Sequence, residues 1–181
     1  MKLKQFEHWA QKEYSPKQRL TLVIPALIFF CIFLPVLFLS ASITADRSCE
    51  LPLFHWGYWN GLIGLVCTIV GAWMGLWTVW TQFVLGRGTP SPFMPTQSLI
   101  ITGPYRFCRN PMILGVFTAY VGLAIWAASP SGIMMCLIFI LVASAYIKLI
   151  EEKELEARFG STYTEYKKLT SFIFPVFRKN K

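Results

Sequence analysis

The feature that most constrains this chain is a stretch with no charge in it. Leu20 to Ile43 contains no Asp, Glu, Lys or Arg, and as a helix it is long enough to cross a hydrocarbon core of about 30 Å. Three more apolar runs follow, 59–85, 112–128 and 133–150. In lipid every backbone polar group must be satisfied within the chain, so such runs read as helices. The expected fold is therefore all-α: one membrane domain, a helical bundle of four spans with an amphipathic C-terminal tail over 151–181. Composition agrees. The chain is 55% hydrophobic and only 14% charged, where a soluble domain carries about 25% charged residues. Pro25 and Pro35 lie inside the first run and predict a kink there. Gly71-x-x-x-Gly75 in the second predicts close helix packing.

The net charge is +8. In a soluble protein that would be compatible with nucleic acid, but here the basic residues flank apolar runs. Five precede the first span, three lie between spans two and three, and eight run from Lys148 onward; Arg47 alone falls on the opposite side. Positive residues stay cytoplasmic. The expected localisation is thus an integral, multi-pass membrane protein with both termini cytoplasmic, membrane lipids as neighbours and no nucleic acid. Residues 1–19 fit either a short interfacial helix or a frayed polar tail. The cysteines at 31, 49, 67, 108 and 136 have no metal-type spacing, so no metal is implied. His8 and His55 lie outside the spans, which argues against an axial haem ligand between helices.

The one long polar loop is 86–111. It carries five prolines after Gly88 and three arginines, Arg87, Arg106 and Arg109. A loop this long is usually functional or disordered; its prolines and the buried elements on either side favour function. Asn110 and Pro111 suit the N-cap and first position of span three, so that helix end offers free amides and a positive dipole to an anion. Spans three and four turn about Pro130, and arms of about 30 Å on each side bring Glu151 and Glu152 beside Arg109. Two readings fit: a site for a zwitterion, with its anion on the amides and its cation on the glutamates, or a plain Arg–Glu salt bridge. Further along, Glu154 and Arg158 are expected to pair at i,i+4, and Gly160 to break the helix.

These residues resemble the isoprenylcysteine carboxyl methyltransferase and phospholipid N-methyltransferase superfamily of membrane enzymes. The resemblance runs from Gly86 to Pro175: Gly86-Arg-Gly-Thr-Pro-Ser-Pro, then Leu99 to Gly103-Pro-Tyr-Arg-Phe-Cys-Arg-Asn-Pro-Met112, then Glu151-Glu-x-x-Leu155, Phe159-Gly160, Tyr163-x-x-Tyr166 and Phe172-Ile-Phe-Pro175. It implies methyl transfer from S-adenosyl-L-methionine to a lipophilic acceptor, such as an isoprenylcysteine carboxylate or a phospholipid amine. The cofactor residues it implies are Gly86, Gly88, Gly103, Pro104, Tyr105, Arg109, Asn110, Pro111, Glu151 and Glu152. Arg109 is the expected orienting group and Glu152 the expected proton acceptor. Ile113 stands where the family often has tyrosine, and Met94 where it often has aspartate; both bear on the acceptor. A lipid-like acceptor should enter sideways, with Ile113, Trp73, Trp77 and Trp80 near its mouth. Two other readings are a nicotinamide-dependent membrane reductase of sterol-reductase type, whose phosphates would want more basic residues than this loop has, and a non-enzymatic membrane scaffold.

Overall fold

A computed structural model describes residues 15–91 and 94–174. Among them all regular structure is helical. The first helix is α1, Pro16–Ile28, then a π-helical segment, Phe29–Phe33, then α2, Leu34–Ser48. Ser15 starts α1 with a capping box: its hydroxyl accepts from Gln18 N–H while the Gln18 side chain accepts from Ser15 N–H. Of residues 1–19, expected as an interfacial helix or a frayed tail, 1–14 lie outside the described residues, and 16–19 form the first turn of α1. The kink expected at Pro25 and Pro35 takes the form of the π segment between them. There Leu34 N–H bonds back to the Phe29 carbonyl, one residue further than in an α-helix.

Helix α3 is Tyr58–Val84 and α4 is Pro111–Trp126. Helix α5, Pro130–Tyr146, runs through a second π segment, Ile147–Glu151, into α6, Glu152–Leu169. Among the described residues three continuous helices are therefore long and apolar enough to cross a membrane, Pro16–Ser48, Tyr58–Val84 and Pro130–Leu169, and Pro111–Trp126 is a shorter apolar helix. The helix of the fourth expected span does not stop at residue 150. No glycine or proline interrupts it between Gly132 and Gly160, so it carries on until Gly160, where φ of +55° bends it.

The bundle is held by small residues. Helices α3 and α4 meet so closely that a Cβ on Gly115 would sit 2.7 Å from the Gly75 nitrogen and 2.8 Å from the Gly71 carbonyl. Of the expected Gly71–Gly75 pair, Gly71 is closed off by Gly115 and Ala119, whereas a Cβ on Gly75 would meet nothing within 4 Å and only its backbone is approached. Thr68 donates to the Gly64 carbonyl at 2.8 Å in the same seam. On the other side of α4, Phe38, Ala124 and Cys136 join α2, α4 and α5. Polar clasps close the ends. Asp46 accepts from Ser129 O–H and from Ser131 N–H at 2.9 Å, and Asn60 ties the 54–56 turn to the Ile125 carbonyl. At the opposite end Arg19 donates to the Phe83 carbonyl at 2.7 Å. The outer surface is apolar: Leu141 is 70% and Val142 64% exposed. Helices apolar on every face belong in lipid, so this is an integral membrane protein.

Candidate functional site

The loop after α3 owes its shape to two glycines. Gln97 N–H bonds to the Gly86 carbonyl at 2.6 Å and Thr89 N–H to the Met94 carbonyl at 2.8 Å, folding the segment back over itself. A Cβ on Gly86 would meet Gln82 O and Thr96 Cγ2 at 2.7 Å, and one on Gly88 would meet Thr96 Cα at 2.5 Å. The chain then passes through a short 3₁₀ turn, Gly103–Arg106, which Gly103 enters at φ +61°.

Arg109 is the hub where loop, helix and tail converge. Its Nη2 donates to Glu152 Oε1 at 2.9 Å, and its Nη1 donates to the carbonyls of Lys167 at 2.9 Å and Thr170 at 2.6 Å. Its backbone N–H bonds to the Ser171 carbonyl at 2.8 Å. Lys167 Nζ grips the other Glu152 oxygen at 2.6 Å. Beside it, Asn110 donates its amide to the Phe172 carbonyl at 2.9 Å. Asn110 therefore makes no side-chain cap on α4, contrary to expectation, because the tail strap engages it. Burial would raise the Glu152 carboxyl, but hydrogen bonds from Lys167 and Arg109 outweigh it and hold the group below the usual range. Lys167 is raised by the same contacts. Tyr166 O–H closes the strap on the Tyr105 carbonyl at 2.7 Å, and the Gln82 amide meets the Tyr105 hydroxyl at 2.6 Å.

Under this clasp lies a cavity of about 330 Å³, within the usual range of about 300–1,000 Å³ for small-molecule sites. Its walls are the folded loop from Thr89 to Ile100, the first turn of α4, and one face of α5 and α6. On one side stand Arg109, whose Nε is buried without a partner, and the Met112 and Ile113 turn. The N–H groups of that turn precede the first intrahelical bond, Leu114 N–H to Asn110 O at 3.1 Å. On another side stand Glu151 and Glu154. Neither makes an ion pair among the described residues. Burial raises both carboxyls, Glu151 further through the neighbouring charges of Glu154 and Glu152. Arg158 lines the cavity too, but its Nη2 donates to the Thr96 carbonyl and pins the loop, so the expected Glu154–Arg158 bridge is replaced by this longer reach. The remaining wall is apolar, with Ile100, Met112, Ile113, Ala143 and Ile147.

The family model described as phospholipid methyltransferase matches residues 59–162. The chain belongs to the phospholipid methyltransferase family. The match takes in α3, the loop, α4, α5 and α6 as far as its bend. Methanethiol S-methyltransferase 2 of Bradyrhizobium diazoefficiens is 32% identical over 124 residues, 67% of this chain and 44% of that protein. Methanethiol S-methyltransferase of Pseudomonas deceptionensis is 33% identical over 79 residues, 42% of this chain and 28% of that protein. The chain thus matches less than half the length of these relatives. No solved structure matches.

Within this family frame the sequence-predicted residues separate into two groups. Tyr105, Arg109, Asn110, Pro111 and Glu151 line the cavity. Gly86, Gly88, Gly103, Pro104 and Glu152 lie behind its wall: the glycines shape the loop, Pro104 is fully buried in the turn, and Glu152 holds the clasp. Sequence reasoning missed Gln82, Thr96 and Glu154 as cavity residues. The spacing Ile147, Glu151, Glu154, Arg158 runs at i+3 and i+4, a signal that places Glu154 on the Glu151 face. Trp73, Trp77 and Trp80 line a different groove, which shares no residue with the cavity; of the expected acceptor-mouth residues only Ile113 lines the cavity.

Proposed function

We propose that this chain is an S-adenosylmethionine-dependent methyltransferase working at the membrane surface on a lipophilic acceptor. The observation that carries this reading is the pairing, in one cavity, of a cation and helix N-terminal amides with two carboxylates that make no salt bridge among the described residues. S-adenosylmethionine is a zwitterion with a sulfonium, and when bound it supplies an electrophilic methyl group. The donor set fits it: Arg109 Nε and the Met112 and Ile113 amides suit a carboxylate, while Glu151 and Glu154 suit an ammonium or sulfonium. The same two carboxylates weigh against a nicotinamide dinucleotide, whose phosphates they would repel.

In this reading the chain's own residues bind, orient and dry the site. Arg109 orients because the strap already fixes three of its hydrogen bonds. Arg158 holds the loop over the cavity and excludes water. Glu151, poised by burial, takes the proton that a thiol or amine acceptor releases; a carboxylate acceptor needs none. Ile100, Ile113 and Ala143 give the acceptor an apolar approach from the bilayer. A thiol acceptor is favoured by the names of both relatives, ahead of the isoprenylcysteine carboxylate or phospholipid amine expected from the sequence. The charge asymmetry supports a cytosolic cavity and cytosolic termini. A calorimetric titration of S-adenosylhomocysteine and of NADPH into detergent-purified protein tests the reading. Saturable binding of the first alone is expected; saturable binding of NADPH alone would replace it with the reductase, and binding of neither with the scaffold.

A further inference from the structure

A second concavity lies between α1 and α3, lined by Leu20, Val23, Leu27, Trp73, Leu76 and Trp80 among others, with a volume of about 550 Å³. It opens on the apolar flank of the bundle, where Trp73 is 60% and Trp80 65% exposed. Along α3 it runs from Trp73 to Phe83. At 1.5 Å per residue that is about 15 Å, half of a hydrocarbon core of about 30 Å, the depth of one leaflet. Tryptophans concentrated near one end of a span suit the headgroup boundary.

Next to the groove's end, behind its lining residues Leu20 and Phe83, lies an incompletely satisfied cation. Arg19 is only 9% exposed, and its guanidinium lies 4.9 Å from the Phe83 ring centroid, on the groove wall. Nη1 donates to the Phe83 carbonyl at 2.7 Å, at the negative end of the α3 dipole. Nε is buried with no acceptor, and Nη2 has none among the described residues. A buried guanidinium with unmatched donors is costly, and a phosphodiester presents the oxygens that its planar fork fits. Lys17, exposed in the same first turn of α1, adds positive charge beside it. We propose that this groove is a binding site for one anionic phospholipid, its acyl chain along Trp73–Trp80 and its phosphate on Arg19. The site is separate from the cavity and does not depend on the proposed reaction.

The test uses tryptophan quenching of the full chain in nanodiscs. Mid-chain-brominated phosphatidylglycerol or phosphatidylcholine is diluted into unbrominated phosphatidylcholine. One basic residue at a membrane surface supports a preference of about fivefold. Quenching by the anionic lipid should saturate at about fivefold lower mole fraction, and Trp80→Phe should remove part of that selective component. Arg19→Gln should equalise the two lipids, and Arg19→Lys should retain part of the difference. Salt should erode the preference in the unaltered protein, a measurement that stands if Arg19→Gln fails to fold. Equal quenching by both lipids, or a preference that survives Arg19→Gln and salt, would overturn the proposal.

Discussion

The Arg109–Glu152–Lys167 clasp makes a sharp distinction between holding the site and being the site. Glu152→Gln keeps the shape of the side chain and one acceptor but removes the charge. The Glu152 and Arg109 side chains are 7% and 11% exposed, so their pair is a buried one, while Lys167 is 34% exposed. Breaking a buried pair costs about 3–5 kcal/mol because a cation is left unpaired. The Lys167 half belongs nearer the surface value of about 0–1 kcal/mol, and glutamine retains a neutral hydrogen bond. A loss of about 2–4 kcal/mol follows, which at this chain length lowers the melting midpoint by roughly 5–15 °C. Thermal unfolding in detergent reads it. Tryptic cleavage at Lys167 and Lys168 should quicken in the variant, because the strap is released. The pH dependence has a definite sign. Glu152 is lowered, so its contribution is present above its unfolded pKa and lost as pH falls through the folded value. Lys167 is raised, so its contribution is present below its unfolded pKa and lost as pH rises through the folded value. The clasp should be strongest between about pH 4.3 and 10.4. An unchanged midpoint together with lost S-adenosylhomocysteine binding would refute this reasoning and make Glu152 a ligand-binding residue.

Glu151→Gln should do the opposite: an unchanged melting midpoint with roughly tenfold to hundredfold weaker S-adenosylhomocysteine binding by calorimetry, the loss of one charge-assisted hydrogen bond to the ligand ammonium. Because burial and neighbouring carboxylates raise Glu151, binding should strengthen as pH rises through its titration in the unaltered protein and lose that dependence in the variant. Gly115→Leu should prevent α3 and α4 from closing, and a size-exclusion profile should show aggregated protein; a normal profile would mean the seam adapts. Membrane-impermeant maleimide on intact cells should label Cys49 and spare an introduced cysteine at Lys153; the reverse pattern inverts the orientation. Cys108 cannot serve as the inner marker, since it is fully buried and burial pushes its thiol up to about 11.

How much of this was legible beforehand depended on whether a signal was local. The uncharged run Leu20–Ile43, the small-residue spacing at Gly71 and the break at Gly160 are local, and each has a direct structural counterpart. The hairpin arithmetic about Pro130 also brought Arg109 and Glu152 together. Which glutamate faces which way was not legible. The π segment Ile147–Glu151 ends between the two glutamates and shifts the helical phase there, and no proline or glycine in it announces that shift. The strap was equally hidden. The backbone carbonyls at 167, 170, 171 and 172 do its work, and carbonyls have no sequence signature; they fix the Arg109 guanidinium from behind and draw the Asn110 amide from the cap to the tail. Arg158 looked like a partner for Glu154 because i,i+4 pairing is the nearest option, yet the loop carbonyl at Thr96 lies within its reach.

The most direct test of the central claim follows the methyl group itself. Purified protein in nanodiscs is given methyl-labelled S-adenosylmethionine with a short alkyl thiol in one arm and membrane lipid extract in the other, and label is counted in the thioether and lipid fractions. The account predicts label in one of these fractions with the unaltered protein and a large loss with Glu151→Gln, the thioether being the favoured product. Label that remains entirely in S-adenosylmethionine in both arms, with protein that binds S-adenosylhomocysteine, would contradict the proposed acceptor class; the same result with protein that does not bind it would contradict the methyltransferase reading as a whole.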